Sequence, residues 1–304
     1  MTSSSIARLV VAFLVLPCVL ASLAVAEEEL ARLDHRIVPE ASGIAVSRRD
    51  ERRLWLVNDS GNRAELVSFD LDNRSYSRVK IRGAENRDWE DLAAFTRGDD
   101  PWLAIADVGD NRARRDRVQV YLLPEPDSGE TSATPEATLV LRYPDGPRDV
   151  ESLAVDPLAN ALYLLSKRDS APRLYRVELP PPGYTGRYET VAVFVGEIHS
   201  IPAPDTAEIT AHRRGRYRAQ PTAMTLLPDG SAIALMTYRG AYLAPLNADR
   251  DWLQALNERL CPVTTPALEQ GETLAADQQG RLYLTSEGRH PPLYRIAARC
   301  RENP

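Results

Sequence analysis

Three apolar runs separated by short turns occupy residues 151–177, which read ESLAVDPLANALYLLSKRDSAPRLYRV. The first run opens with ESLA at 151–154, the second is LYLL at 162–165, and the third alternates as LYRV at 174–177. Short β-rich runs divided by Pro, Asn, Asp and Ser predict consecutive antiparallel strands joined by hairpins. This stretch therefore predicts one small antiparallel sheet.

The opening phrase of this stretch recurs along the chain. Its copies are SGIA at 42–45, EDLA at 90–93, ESLA at 151–154, TAMT at 222–225 and ETLA at 272–275. An apolar strand and a third, alternating strand follow each copy, and a repeat of roughly 50 to 70 residues with three or four strands is typical of a propeller blade. The sequence therefore predicts an all-β fold, a single β-propeller of five blades spanning residues 27–304. The third interval is the longest and leaves a sixth blade open, although its excess at 201–220 is interpreted as a loop.

The last repeat stops after its third strand. The unassigned N-terminal segment 32–38 is predicted to supply the missing fourth strand, which would close the ring and remove two free sheet edges. Residues 251–260 have the pattern of a short amphipathic helix. The segment 124–138, rich in Pro, Glu, Ser and Thr, is predicted to be a long exposed loop without chemistry of its own.

The first 26 residues differ in composition from the rest. Arg8 precedes an apolar run, and Ala24-Val25-Ala26 ends the segment, which is the pattern of a cleaved secretory signal. An uncleaved anchor is the alternative. We expect a periplasmic or secreted monomer with no membrane span after cleavage. The net charge of −6 argues against nonspecific nucleic-acid binding.

Two cysteines remain after the predicted cleavage, Cys261 and Cys300. In an oxidising compartment such a pair is expected to form a disulfide, and two buried free thiols are the alternative. Two cysteines alone cannot form a zinc cluster.

Propeller geometry places the residue that leads each repeat at one mouth of the central channel. Glu90, Glu151 and Glu272 should converge there, with Asp107 close by. Like charges packed together must be protonated, paired with arginine, or bound to a cation. Because Ca²⁺ takes six to eight oxygen ligands, these four residues are the candidate metal ligands for Ca²⁺. Ion pairs with Arg87, Arg112, Arg148 and Arg168 are the alternative.

The ends of the second strands should lie at the same mouth. They supply the candidate ligand-binding residues Asn58, Asp59, Asp110, Asn111, Arg112, Arg168, Tyr238, Arg239 and Glu287. Arginines in the mouth loops 112–117 and 212–218 recognise phosphate or carboxylate by forked hydrogen bonds, so an anionic small molecule is one candidate partner. Solvated loops and simple Asx turns are the alternatives for these segments.

Familiar catalytic motifs are absent from the sequence, which has no Gly-x-Ser-x-Gly elbow, no His-Glu-x-x-His and no phosphate loop. A non-enzymatic ligand-binding propeller with a structural Ca²⁺ is therefore the first hypothesis. A Ca²⁺-dependent hydrolase of phosphoesters or lactones is the alternative, with the metal lowering the pKa of bound water. A scaffold for an unknown protein partner is the third, since fold alone does not choose among them.

Several of these phrases resemble the SdiA-regulated family of secreted bacterial propellers, which is NHL-like. The resemblance is carried by ASGI at 41–44, DWEDLA at 88–93, QGETLA at 270–275 and GRLYLTSE at 280–287. It implies a five-bladed propeller that binds calcium through Glu90, Glu151 and Glu272, with no enzymatic activity established. Thr222 departs from the acidic residue that would complete the ring. A looser resemblance to esterase-like phytase propellers implies the hydrolase alternative.

Overall fold

The computed structural model describes residues 27–301, which fold almost entirely into β-strands. The first ten strands are β1 (Glu28–Arg32), β2 (Ala41–Val46), β3 (Arg53–Asn58), β4 (Glu65–Asp70), β5 (Tyr76–Ile81), β6 (Trp89–Arg97), β7 (Asp100–Asp107), β8 (Val118–Pro124), β9 (Ser132–Ala133) and β10 (Ala137–Arg142). The others are β11 (Val150–Asp156), β12 (Ala161–Ser166), β13 (Arg173–Glu178), β14 (Gly186–Val191), β15 (Val193–Glu197), β16 (Pro221–Leu226), β17 (Ala232–Thr237), β18 (Gly240–Pro245), β19 (Cys261–Pro262), β20 (Ala275–Ala276), β21 (Arg281–Leu284) and β22 (Pro292–Ala297). The predicted signal segment 1–26 lies outside the described residues.

The strands form five sheets, one for each copy of the repeated phrase, so the described chain has five blades and no sixth. The strand orders are β2-β3-β4-β5-β9, β6-β7-β8-β10-β14, β11-β12-β13-β15, β16-β17-β18-β19, and β20-β21-β22-β1. In each blade the third strand pairs with an antiparallel fourth strand, which in the fifth blade is the N-terminal strand β1. Strands β9 and β14 add to the first two blades in parallel, at their outer edges.

Five clusters of buried hydrophobic residues lie between neighbouring blades. Strand β12 contributes side chains to two clusters. Leu162 and Leu164 face the second blade, whereas Tyr163 and Leu165 face the fourth. Since successive side chains point to opposite faces of a sheet, a strand covered on both faces must be apolar throughout. This is the reason for the continuous apolar runs in the repeats.

The ring closes through the N-terminal strand, as predicted, but the strand is placed earlier in the chain. Strand β1 pairs antiparallel with β22, with Glu28 opposite Arg295 and Arg32 opposite Pro292. The segment expected to pair, 32–38, is instead mostly turn and leads to β2. Cys261, in β19 of the fourth blade, forms a disulfide with Cys300 beyond β22, which confirms the predicted pair.

Two connecting segments differ in part from expectation. The expected loop 201–220 contains helix α1 (Thr206–Ala211), which begins with a capping box between Asp205 and Glu208, and a 3₁₀ turn (Gly215–Tyr217). The predicted exposed segment 124–138 contains β9 and the buried Glu125, whose carboxylate accepts hydrogen bonds from Ser47 and Trp55 of the neighbouring blade. The sequence did not predict the burial of Glu125, because its partners Ser47 and Trp55 lie 78 and 70 residues away along the chain.

Helix α2 (Trp252–Asn257) falls within the predicted amphipathic segment and is capped by Asp251. Its Trp252 stacks on Tyr163 of the third blade. Among residues 27–301, no helix has the length and apolar character needed to cross a membrane.

Candidate functional site

A β-bulge lies near the start of the innermost strand in each blade. In the first four blades the register shift falls at Ser42, Glu90, Glu151 and Thr222, the residues that lead the repeats. In the fifth, Gly271 bridges Ser286 while Ala275 pairs with Tyr283, which leaves one extra residue in the segment that contains Glu272. A bulge leaves one residue unpaired and changes the direction of its side chain. The side chain of the residue that leads each repeat is therefore directed away from the strand pairing.

These side chains meet at one cavity of about 430 Å³, the central cavity. Its lining includes the leading residues Ser42, Glu90, Glu151 and Glu272 and, from the predicted ligand-binding set, Asp59, Asn111, Arg168, Tyr238 and Glu287. Thr222 instead donates a hydrogen bond from Oγ1 to the carbonyl of Gly271, 2.8 Å away. The structure thus brings together the three predicted glutamates at one mouth.

Lys167 lies between two of the glutamates. Its Nζ is 2.7 Å from Glu151 Oε2 and 3.8 Å from Glu272 Oε2, and all three side chains are buried. The Tyr238 hydroxyl donates to Glu272 Oε1 at 2.6 Å, and Gln270 Nε2 donates to the same atom at 2.7 Å. Glu272 is therefore contacted by side chains from the third, fourth and fifth blades.

Glu90 belongs to a different arrangement. Single carboxylate oxygens of Asp59, Asp88 and Glu90 lie within 4.8 Å of one another, and so do those of Glu90, Asp149 and Glu151. Glu90 is shared by both groups and is 5% exposed, and no side-chain hydrogen bond to its carboxylate is formed within the described residues. Carboxylates gathered in this way are a suitable donor set for a hard cation such as Ca²⁺.

Burial and neighbouring negative charges raise the pKa values of Glu90, Glu151 and Glu287 and so favour their protonated forms. Burial, together with the charge on Glu151, raises the pKa of Glu90 well above its ordinary value. Burial raises the pKa of Glu151 to about 7 despite the neighbouring Lys167, and burial and Glu272 raise that of Glu287 to about 7. Although burial opposes the charge on Lys167, Glu151 and Glu272 raise its pKa well above the ordinary value. The ammonium therefore stays charged while the carboxylates around it compete for protons or cations.

Arg168 lies at the rim, where Nε donates to Asp149 Oδ2 and the guanidinium also donates to Asn111. The expected arginine pairing is therefore present at Asp149, beside the leading glutamates, rather than at those glutamates themselves. Arg168 remains partly exposed to the cavity.

Several predicted residues have other surroundings. Asp107 is fully buried, accepts from Arg115 at 2.9 Å and from the Asp88 amide at 3.1 Å, and belongs to neither carboxylate group. Asn58 bridges the backbone of Glu40 and Ile37.

The remaining three predicted ligand-binding residues lie outside the lining of the central cavity. Asp110 accepts the amides of Arg114 and Arg115, which stabilises its turn. Arg239 donates two hydrogen bonds of 2.7 Å to the Glu208 carboxylate in α1. Arg112 is exposed in the mouth loop.

Lys167, Asp88 and Asp149 are among the residues of the site for which the sequence predicted no role. For the two aspartates a signal was present, since Asp-x-Glu occurs twice, as DWE at 88–90 and DVE at 149–151. Lys167 directly precedes the predicted ligand-binding residue Arg168, but only its distance to glutamates of two different blades reveals its role.

The comparisons with known proteins identify the fold. No family model and no curated protein matches the sequence. The solved luciferin-regenerating enzyme is similar with a TM-score of 0.50 and 10% identity, covering 89% of this chain and 93% of that one. A putative 6-phosphogluconolactonase from Bacteroides uniformis has a TM-score of 0.44 and 15% identity, covering 84% and 67%. The β-propeller domain of Cps50 (Swd1) from Myceliophteria thermophila has 0.41 and 14%, covering 84% and 64%. At such identities a likeness shows the fold alone, and the chain is a five-bladed β-propeller.

Proposed function

We propose that this protein is an exported propeller that binds Ca²⁺ at the central cavity and uses the bound ion to hold an anionic small molecule. The observation that carries the proposal is the position of Glu90, which is shared by two groups of carboxylates and is buried with no hydrogen-bond partner among residues 27–301. An ionised carboxylate in that position requires a counter-charge. Asp59, Asp88, Glu90 and Glu151 are the proposed ligands.

The backbone near Glu90 is shaped for this arrangement. A Cβ added to Gly109 would lie 2.1 Å from Glu90 Oε1 and 2.7 Å from Asp88 Oδ2. Glycine at this position therefore leaves the room that the two carboxylates occupy. Ca²⁺ tolerates irregular coordination by carboxylates, carbonyls and water, which suits groups that come from different blades.

The anion is inferred from the cationic side chains of the same cavity. Arg168 and Arg214 both line it, and Lys167 forms part of its wall. A bound divalent ion adds a positive charge beside them, and charge-assisted hydrogen bonds from arginine to phosphate or carboxylate are among the strongest available. This combination favours an anionic ligand over a neutral one.

The export part of the proposal rests on the signal-like segment 1–26 and on the disulfide, because disulfides persist in oxidising compartments. The phrases shared with the SdiA-regulated propellers support membership in that group, and the five-bladed ring is consistent with it.

Calorimetric titration with Ca²⁺ tests the proposal directly. Glu90→Gln removes one charge at the shared position, and we expect it to weaken Ca²⁺ binding at least tenfold. Glu85→Gln removes an exposed carboxylate from the connection that leads into β6, and this matched control should bind Ca²⁺ as the wild type does. Equal affinity in the wild type and in Glu90→Gln, or no binding to the wild type, would contradict the proposed cation site.

A hydrolase is the second candidate, and one observation favours it. The pKa of Glu287 is raised to about 7, and that of Glu151 to about 7, which suits a general acid or base at neutral pH. We expect Ca²⁺-dependent turnover of a phosphomonoester, phosphotriester or lactone in this case, abolished by EDTA and lowered at least a hundredfold by Glu287→Gln. If the wild type turns over none of these substrate classes, the binding function stands without the enzymatic one.

A further inference from the structure

A second cavity, the side cavity, opens beside the central one and has a volume of about 560 Å³. It lies between the connection that contains α1, the β17–β18 hairpin and the segment 265–271. Arg214, Tyr238 and Gln270 line both cavities. The two spaces are therefore neighbours that share three wall residues.

The walls of the side cavity are partly apolar. Met236, Pro266 and Leu268 line it, and two glycines of its lining, Gly271 and Gly240, lie close to neighbouring side chains. A Cβ on Gly271 would lie 2.3 Å from the Met236 methyl group, and one on Gly240 would lie 2.9 Å from Thr265 Oγ1. A wall of this kind binds hydrocarbon or an aromatic ring, whereas the central cavity is lined almost entirely by charged and polar groups.

Four arginines and one acid, Glu269, line this cavity, so the net charge of its lining is positive. Arg218 and Arg239 both bind Glu208, and the hydrogen bonds from Arg239 lower the pKa of Glu208 to about 2, so this acid is ionised and engaged. Arg213 and Arg214 are exposed at the rim. An anion that approaches the central cavity across this rim is attracted before it reaches the cation site.

We propose that the two cavities bind a single amphiphilic anion, with its phosphate or carboxylate head at the central cavity and its apolar body in the side cavity. The inference rests on the proposed cation-dependent function and specifies its ligand class. Arg214 contacts the ligand where head and body join. A purely polar ligand would leave the Met236 and Leu268 wall unused, and a purely apolar one would leave the carboxylates and arginines unpaired.

Calorimetric titration with two matched series tests the proposal in the presence of Ca²⁺: methyl, butyl and hexyl phosphate, and acetate, butyrate and hexanoate. We expect affinity to rise roughly threefold to fourfold for each methylene that enters the side cavity. The series with the stronger short member identifies the head group. Removing Ca²⁺ with EDTA should weaken every member of that series at least tenfold.

A variant that fills the side cavity separates the two parts of the ligand. We expect Leu268→Trp to weaken hexyl phosphate or hexanoate at least tenfold while changing the short member of the same series less than twofold. Leu158→Trp is the matched control, because Leu158 is 82% exposed on a hairpin away from both cavities. Arg214→Ala should weaken long and short members alike, and Arg216→Ala, on the same connection but outside both linings, should weaken neither.

The outcomes distinguish this inference from the function on which it rests. Equal affinity for short and long members, with both dependent on Ca²⁺, would overturn the side-cavity assignment and leave the cation-dependent function intact. A gain with chain length that persists in EDTA or in Leu268→Trp would place the body elsewhere and overturn the inference. Ca²⁺ binding with no affinity for any member of either series would overturn both the ligand class and the anion-binding part of the proposed function.

Discussion

At the scale of single residues, the central cavity holds more acids than bases. Its lining has the acids Glu40, Asp59, Glu90, Glu151, Glu272 and Glu287, and the bases Lys167, Arg168 and Arg214. The surplus is relieved by protons when no cation is present and by the cation when one binds. Protons and Ca²⁺ therefore compete for the same carboxylates, and this competition has a measurable effect on stability.

Stability in EDTA should fall as the pH rises from 5 to 8. The folded protein raises the pKa of Glu151 from 4.5 to about 7 and that of Glu287 from 4.5 to about 7. Acids with raised pKa values contribute stability that is fully present below the unfolded value and is lost as the pH passes the folded one. Differential scanning fluorimetry should show a falling Tm in EDTA, and Ca²⁺ should restore it at pH 8 because the ion binds only the folded, deprotonated form. A Tm in EDTA that is flat or rises over this interval would contradict the assignment.

Asp91 is a buried acid outside the central cavity, and its carboxylate binds backbone amides near the axis of the ring. Its Oδ1 accepts from the Leu92 amide at 2.8 Å, and its Oδ2 accepts from the amides of Leu153 at 2.7 Å and Met224 at 3.4 Å. These amides belong to the innermost strands of three blades, and burial raises the pKa of Asp91 well above its ordinary value. One side chain thus ties three blades together near the axis.

Replacing Asp91 by asparagine should destabilise the fold. The new amide group would face backbone N–H donors, and a buried donor left without an acceptor costs about 1–3 kcal/mol. Urea denaturation of Asp91→Asn should show a loss of that size. Asp99→Asn, in an exposed turn, provides the comparison and should be neutral. Unchanged stability in Asp91→Asn would show that these contacts are dispensable.

At the scale of elements, two glycines allow close approaches of different kinds, one between the backbones of neighbouring blades and one between backbone and carboxylates within a blade. A Cβ on Gly43 of β2 would lie 2.6 Å from the Leu92 backbone nitrogen and 2.8 Å from the Asp91 carbonyl carbon in β6. Backbone atoms cannot move away without separating the two strands. At Gly109, by contrast, the obstructing atoms are the ends of the side chains of Glu90 and Asp88, which can rotate.

These two glycines therefore predict opposite phenotypes. Gly43→Ala should lower the free energy of unfolding by at least about 2 kcal/mol, because the added methyl group overpacks a rigid contact. Gly109→Ala should leave the fold nearly as stable and weaken Ca²⁺ binding at least tenfold, because the two carboxylates are displaced. Circular dichroism melting and calorimetric titration of both variants measure the two effects. If Gly109→Ala binds Ca²⁺ as the wild type does, or if both variants unfold, the different roles assigned to the two glycines are wrong.

At the scale of the whole molecule, the ring depends on its closure between the fifth blade and its neighbours. Strand β1 supplies the outer strand of that blade, and the disulfide joins Cys261 of the fourth blade to Cys300. The sheet of the fifth blade has the shortest innermost strand, Ala275–Ala276. Covalent and N-terminal closure thus support the blade that has the fewest ladder contacts at the axis.

Removing the disulfide should lower the stability of the whole ring. The bond closes a loop with a sequence separation of 39. A loop of that length is expected to contribute about 2–4 kcal/mol through the lost entropy of the unfolded chain. The double variant Cys261→Ser, Cys300→Ser should show this loss in guanidinium denaturation, and reduction of the wild type with dithiothreitol should reproduce it. Equal midpoints before and after reduction would contradict the stabilising role.

Five copies of a short phrase determined the blade count, the mouth at which the leading residues meet, and the need for an N-terminal closing strand. That information is local and periodic, so it can be read along the chain. The exact closing strand, Glu28–Arg32 rather than 32–38, was not determined, because its pairing partner β22 lies at the other end of the chain and no local pattern records that pairing.

Only the tertiary structure decided how the converging acids divide. Glu90 belongs to two groups of carboxylates, one with Asp59 and Asp88 and one with Asp149 and Glu151. Glu272 instead contacts Lys167 and Tyr238. It also decided that Asp107 pairs with Arg115 and that a side cavity adjoins the central one. These features depend on distances of a few ångströms between side chains that are far apart in sequence. Such distances are set by how tightly the blades pack around the axis, and no pattern along the chain records them.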